Sequence, residues 1–551
     1  MNPAKLKTNL TRAIQFFQNG DISASKDLIN KINQHNDKIA LCWFLLGAMS
    51  IQENAFNEAI KQLTKATKLQ TIYPDAYNNL GVAYERLNQL TEAKSAYQKA
   101  LEQKPDYPQA LNNLASIYQH ENDLEQAIIL YHEAIKYMPD YVNALNSLGL
   151  CYLQKHRLSE AEKYLHQAIT LAPSDAIILN NLGQLLSSQF QYAQAMECFK
   201  RALTITSDMP AVLLNIGLLY EQQNHLDEAR NYFLKAAHDP DHKKRAYNNL
   251  SMLELSRQNY QEGWSYYQYR QSQSNHITLT KEITIHDLKD KNILIEKDQG
   301  LGDEIFFCRF LPFLSAIAKN VVYHTDPRLV SMLSRSMQDI TFVSESLPEK
   351  NFDLQLPVSE LPRIFWNSIP NPTPSSIRIS TDKSFLTKVT NSLPNNKNIN
   401  IAVTWEAGIA GLNTLYKRMD PLTVGKLLRD CSANVLILQR NPNPRDIDLL
   451  EKGLQRKAFN FSYINNDLEE TLAFLSIIDG YLTVSNTNVH LMAALGKSAS
   501  IFIPHPPEWR WARSAQSPWF PNFPLYRQDS SGSWEKAFKN CAKDFAALLS
   551  N

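Results

Sequence analysis

Three short stretches in the second half of the chain combine glycine, hydroxyl, amide and charged residues in patterns suited to an anionic ligand. The first is Gly300-Leu301-Gly302-Asp303-Glu304-Ile305. Its two glycines let a turn pass close to a ligand. Asp303 falls at the start of the following helix, where it either faces that ligand or caps the helix and complements its dipole. The second is Thr404-Trp405-Glu406-Ala407-Gly408, followed by Tyr416-Lys417-Arg418. Lys417 and Arg418 either face a bound anion or form a solvated helix start. The third is Val484-Ser485-Asn486-Thr487-Asn488-Val489-His490-Leu491. There a strand gives way to a helix whose free N–H groups suit a diphosphate, and His490, one turn in, adds a hydrogen bond or a positive charge. The plainer alternative makes Asn486 and Thr487 N-caps and His490 a packing residue.

The elements that must position these residues are strands alternating with helices. Residues 292–296 read as a strand, 304–318 as a helix and 321–323 as a strand. A polar linker covers 392–397, and a second series follows. It runs through strand 399–405, helix 421–429, strand 434–439 ending at Gln439, helix 468–478, strand 480–484, helix 489–495 and strand 499–503. Such alternation implies two parallel sheets in tandem, with ligands beyond the carboxyl ends of their strands. Composition agrees that this half stands apart: 19 of the 24 tyrosines lie in residues 1–280, and 18 of the 26 prolines lie after them.

On these three patches, residues 285–530 resemble the heptosyltransferase-type (family 9) glycosyltransferases, which have the two-lobed GT-B fold. The resemblance implies a first lobe over 281–390 and a second over 398–551 with a C-terminal helix. It implies an inverting, metal-independent transferase with no cofactor, using a nucleotide diphospho-sugar as donor. Asp303 would be the general base on the acceptor hydroxyl, and Lys417 and His490 would act on the departing diphosphate. Gly300, Gly302, Thr404, Arg418, Gln439, Ser485, Asn486 and Thr487 would line the donor side. The family usually places an aspartate where this chain has Asn486, and that departure motivates the alternative of a degenerate transferase domain on a non-catalytic scaffold. Residues 504–527 resemble the aromatic stretch of repeat-fused relatives; its tryptophans either stack on a base or sugar, or pack on the terminal helix.

The first half is periodic. Gly47, Gly81, Gly149, Gly183 and Gly217 fall on one 34-residue step, with Ala115 filling the gap. Small residues (Ala59, Ala93, Ala127, Ala161, Ala195, Ala229) and bulky ones (Leu63, Tyr97, Tyr131, Leu165, Phe199, Phe233) keep the same step. This is the pattern of paired amphipathic helices whose backbones approach where side chains are small. It resembles the tetratricopeptide repeat (TPR), predicting about eight repeats over residues 1–275. Asn79, Asn113, Asn181, Asn215 and Asn249, with Ser147, form a further periodic row. Such a row either hydrogen-bonds the backbone of an extended peptide, as the similar TPR region of O-GlcNAc transferase does, or serves packing between helices.

The expected fold class is therefore α + α/β, an N-terminal TPR α-solenoid followed by a GT-B-type double Rossmann-like domain. A net charge of +1 among 551 residues argues against nucleic acid as a partner. No apolar leader and no run of ~18 apolar residues occurs. The six cysteines are scattered without metal spacing, so buried free thiols are expected, and the chain reads as cytoplasmic. No HExxH, Walker or Gly-x-Ser-x-Gly motif occurs, so hydrolase and NTPase chemistry has no support.

Overall fold

A computed structural model describes residues 3–270, 283–348, 351–366, 368, 373–396, 398–407 and 417–549. The chain forms two compact units, Met1–Ser207 and Asp208–Asn551. The first is six helical hairpins. They pair Pro3–Gln18 with Ile22–His35, Ala40–Gln52 with Phe56–Leu69, Pro74–Arg86 with Leu90–Gln103, Pro108–His120 with Leu124–Tyr137, Val142–Gln154 with Leu158–Leu171, and Ala176–Ser188 with Tyr192–Ile205.

The small residue of each first helix is where a bulky residue of the second lies flat. A Cβ added at Gly81 would sit 2.5 Å from the Tyr97 ring, and one at Gly183 2.5 Å from the Phe199 ring. Any side chain there would force the helices apart. The turn inside each hairpin is set by a second periodic feature that the sequence reading missed. Gly20, Asn54, Asn88, Asn122, His156 and Phe190 all have positive φ, as do Asn224 and Gln258 in the next two hairpins. Each left-handed residue lets the chain reverse while the last carbonyls of the helix stay bonded, as when Gln89 N–H donates to Tyr84 O at 2.9 Å. Asparagine tolerates that conformation better than most residues.

The second unit opens with two more hairpins, Pro210–Gln222 with Leu226–Ala236 and Lys243–Ser256 with Tyr260–Tyr267, making eight among the described residues. Then come two sheets. Strands β1 (Asn292–Glu296), β2 (Asn320–His324), β3 (Thr341–Val343) and β4 (Leu354–Pro357) are all parallel, in the order β3-β2-β1-β4. Strands β5 (Ile399–Thr404), β8 (Ala433–Ile437), β9 (Phe459–Asn460), β10 (Gly480–Val484), β11 (Ser500–Ile503) and β12 (Leu525–Arg527) form a second parallel sheet. Between them β6 (Glu406–Ala407) and β7 (Lys417–Arg418) make a two-residue antiparallel ribbon.

The order of the six-stranded sheet is β12-β11-β10-β5-β8-β9. Counted along the chain without the ribbon, that is 3-2-1-4-5-6, the doubly wound order that binds ligands at its switch point. The switch lies between β5 and β10 in this sheet and between β1 and β4 in the smaller one. The helix expected over 304–318 is broken into Leu301–Phe307, a 3-10 turn Cys308–Phe310, and Leu311–Ser315, because Pro312 cannot donate to a continuing helix. Strands β3, β4, β9 and β12 carried no sequence signal, being two to four residues long.

The last hairpin shares a core with the sheets. Trp264 meets Trp509 edge-on at 5.2 Å and Trp519 at 6.2 Å; Tyr267 meets Phe307 at 6.1 Å. The aromatic loop after β11 therefore packs on the final hairpin, and the terminal helix Glu535–Leu549 packs elsewhere, through Phe538 on Phe502. Polar pairs reinforce the contact: Arg513 Nη2 donates to Glu221 at 3.1 Å, and His505 lies 2.6 Å from the Gln222 carbonyl. Burial pushes the Glu221 carboxyl above its ordinary range, and Arg513 offsets part of that rise.

Arg513→Met should destabilise this unit by about 3 kcal/mol near neutral pH, because it leaves a buried carboxylate without its counter-charge. A carboxyl whose folded pKa is raised destabilises the fold above that pKa, and removing Arg513 raises it further. The deficit should therefore shrink as pH falls into the acid range. Urea unfolding followed by tryptophan fluorescence reads this unit, since seven of the eight tryptophans lie in it. A deficit independent of pH would contradict the assignment.

Candidate functional site

The two sheets meet through the helices that follow β1 and β10. A Cβ added at Gly302 would lie 3.1 Å from His490 Cδ2 and 3.5 Å from Thr487 Oγ1. A side chain here would press on His490, so glycine lets the helix Thr487–Ala494 lie close. Gly300 is exposed and has open space around it. Asp303 does not cap its own helix, whose N-cap Gly300 has no side-chain cap bond. Its carboxylate is turned instead to two arginines: Arg510 Nη2 donates to Oδ1, and Arg270 Nη2 lies 3.9 Å from Oδ2.

On the second sheet, Asn486 is the N-cap of the helix Thr487–Ala494, its Oδ1 accepting from Val489 N–H. Its Nδ2 donates to Thr483 Oγ1 at 2.8 Å, and that hydroxyl in turn donates to the Val484 carbonyl. An aspartate at this position would have to accept from the Thr483 hydroxyl instead. Ser485 Oγ donates to Glu508 Oε2 at 2.7 Å, Trp511 Nε1 donates to the same oxygen at 3.3 Å, and Lys417 pairs with Oε1. Arg418 is held in the ribbon by Glu406 at 2.7 Å and Asp446 at 2.8 Å. Thr404 is buried, with its hydroxyl between Tyr481 OH at 2.9 Å and the Leu438 carbonyl at 3.2 Å. Gln439 clamps the end of β5, accepting from Trp405 N–H and Glu406 N–H and donating to Glu406 O. Gly408 and Tyr416 lie outside the described residues.

The structure thus brings Gly302, Asp303, Lys417, Ser485, Thr487 and His490 to one junction, and leaves Thr404, Arg418 and Gln439 in the framework beside it. It adds residues that sequence reasoning did not single out. Arg510 lies over the Trp509 ring at 4.5 Å and the Phe306 ring at 5.0 Å, and burial pulls its pKa down to about 10. Arg309 is buried against Phe306 at 4.0 Å and donates to the Phe306, Pro374 and Trp519 carbonyls and to Ser376. Burial brings it to about 9. Burial, with the nearby Arg309 charge, takes His490 down to about 3, so it stands neutral. Burial alone would raise Glu508; the Lys417 charge and hydrogen bonds from Lys417, Ser485 and Trp511 override it and hold the carboxylate ionised. The available signal was the alternation Glu508-Trp509-Arg510-Trp511, two charges set among rings that must be buried. Two cations, a hydroxyl and a helix N-terminus can bind an anion here, and Glu508 and Asp303 are the anions they now hold.

The periodic asparagines link successive hairpins. Asn113 Nδ2 donates to Asn78 Oδ1 at 3.1 Å and Asn181 Nδ2 to Asn146 Oδ1 at 2.9 Å, each 35 residues back. Asn79 is half-buried, and the residue 35 positions before it is Phe44, which offers no side-chain acceptor; Asn215 is buried. Asn249 has Leu214 at that position, and its buried Nδ2 has no partner among the described residues. Ser147 breaks the row, and the buried Oδ1 of Asn112, its counterpart, is left without a donor.

A family model described as the C-terminal domain of cilia and flagella-associated protein 70 matches residues 70–282, and one described as TPR repeat matches residues 47–88. The N-terminal region thus carries TPR repeats. No curated protein matches the sequence. Among solved structures, the chain is similar to PilF of Pseudomonas aeruginosa, at 22% identity over 36% of this chain and 90% of that one, with a TM-score of 0.33. It is also similar to the APC/C hetero-tetramer Cut9–Hcn1, at 17% identity over 49% of this chain and 54% of that one, TM-score 0.39. The chain therefore spans about half the length of that relative. A third is YrrB, described as a TPR protein with an unusual peptide-binding site, at 20% identity over 34% of this chain and 95% of that one, TM-score 0.29. No helix among the described residues is long and apolar enough to cross a membrane.

Ser147→Asn should restore the missing rung to Asn112 and stabilise the first unit by about 1 kcal/mol, the net worth of one satisfied buried hydrogen bond. The check is the urea midpoint followed by helical circular dichroism. A lowered midpoint would mean that the row serves something other than contact between repeats.

Proposed function

We propose that the protein is a TPR interaction scaffold, whose hairpins hold a protein or glycan-bearing partner and whose α/β half is the platform to which that partner is presented. The run of TPR hairpins carries this reading, because paired helices repeated at 34 residues build extended surfaces for partners.

A finer reading adds chemistry, and one observation favours it: a 3-2-1-4-5-6 parallel sheet with a helix N-terminus, a hydroxyl and two cations gathered at its switch point. In this reading the α/β half is a two-lobed GT-B transferase acting in the cytoplasm, inverting and metal-independent, with a nucleotide diphospho-sugar as donor. Asp303 takes the proton of the acceptor hydroxyl as that oxygen bonds to the anomeric carbon, and the bond from this carbon to the diphosphate oxygen breaks. Lys417 balances the charge left on the diphosphate, helped by the Thr487 hydroxyl and by neutral His490 as a hydrogen-bonding group. Gly300, Ser485 and Asn486 frame the same pocket. Asp303 must leave Arg510 for this step.

Full-length protein incubated with cell lysate and UDP-, GDP- and ADP-sugars separates the readings. A co-purifying partner, retained by wild type and Asp303→Asn, with no free nucleotide diphosphate from any donor, is the scaffold's expected result. Release that Asp303→Asn abolishes while nucleotide still binds is the transferase's. Release by that variant at the wild-type rate would remove Asp303 as base, and neither partner nor release would contradict both readings.

A further inference from the structure

The junction between the sheets is closed by its own carboxylates. Glu508 is largely buried, its side chain 19% exposed, and accepts from three donors at once: the Lys417 ammonium, the Ser485 hydroxyl at 2.7 Å and Trp511 Nε1 at 3.3 Å. Ser485 directly follows β10 and precedes the helix N-terminus, and Lys417 belongs to the ribbon beside it. Two oxygens bound by an ammonium and a hydroxyl at a switch point are how a phosphate would be held. On the other side of the turn, Arg510 gives Nη2 to Asp303. Two polar atoms at this junction are buried without any partner among the described residues, namely Arg510 Nε and His490 Nδ1. Both residues are buried, at 9% and 6% exposure. The resident carboxylates thus satisfy only part of the polar atoms gathered here.

We propose that Glu508 is a built-in competitor for a diphosphate ester: the ligand replaces its carboxylate on Lys417 and Ser485, and the turn Glu508–Trp511 swings away to admit it. This rests on the diphosphate reading of the site and adds its regulation. A carboxylate carries one negative charge where a diphosphate carries two or more, so the exchange strengthens the pairing with Lys417. The turn is also primed to move. Ala512, which ends it, is buried at φ +48° and ψ −173°, a conformation that suits glycine and strains alanine. Tight closure keeps the site empty of weak anions, so only a ligand with several phosphate oxygens opens it.

The test is calorimetric titration of the full chain with inorganic pyrophosphate. Glu508→Gln keeps the shape of the side chain and removes its charge, and should bind pyrophosphate about tenfold more tightly than wild type, at unchanged near-ultraviolet circular dichroism. Glu508→Asp, which withdraws the carboxylate by one methylene, should fall between the two, and it decides the matter if the glutamine variant does not fold. Adding Lys417→Met to Glu508→Gln should abolish the gain. Binding by Glu508→Gln or Glu508→Asp that is no tighter than wild type would overturn the proposal, as would absence of binding in all variants. Pyrophosphate binding that follows this order without any nucleotide release from donor sugars would leave the plug standing and remove the transferase reading. Nucleotide release with unchanged pyrophosphate affinity would do the reverse.

Discussion

The α/β unit depends on one buried turn that carries opposite charges into two neighbouring elements. From Glu508-Trp509-Arg510-Trp511, the glutamate reaches Lys417 and the end of β10, and the arginine reaches Asp303 on the helix after β1. Each charge is largely buried, with side-chain exposures of 10–19%, and a buried charge without its partner costs several kcal/mol. The turn can therefore hold its place only while both sheets present their counter-charges in register. Trp509 between them packs on Trp264 of the last hairpin and on Phe306 of the helix after β1, so the same four residues also seat the final hairpin. That is why Asp208 to Asn551 form one compact unit although the repeat pattern continues across its start.

The repeat was legible because each periodic position answers to one contact. A residue opposite a ring 16 positions later must be small, so Gly81 with Tyr97 and Gly183 with Phe199 mark their own pairing. Strands β1 and β10 were readable for a similar reason: each is a five-residue stretch whose three central residues are buried. The left-handed hairpin turns were missed because their residue type varies, from Asn88 to His156 to Phe190, although their backbone conformation does not.

The site was legible in type and not in partnership. Gly302, Asp303, Lys417, Ser485, Thr487 and His490 do converge, because all stand at strand ends or helix starts, where chain direction is predictable. What each one touches was out of reach, since Asp303 and Arg510 are 207 residues apart and nothing local links them. Thr404 and Gln439 show the opposite failure. Their residue types suit a ligand, yet Thr404 sits inside the sheet and Gln439 closes the backbone of β5. A hydroxyl or amide at a strand end satisfies the framework as readily as it satisfies a guest. The same ambiguity runs through the asparagine row, where Asn113 and Asn181 bond to the preceding hairpin.

The central claim is that internal carboxylates hold the cations of this junction until a diphosphate replaces them. Hydrogen–deuterium exchange of the full chain, alone and with saturating uridine, guanosine or adenosine diphosphate in turn, tests it most directly. One of these ligands should slow exchange at the amides of Thr487 to His490 and speed it across Glu508 to Ala512, as the helix start is covered and the turn is released. Protection of both segments together, or no change in either with any of the three, would contradict it.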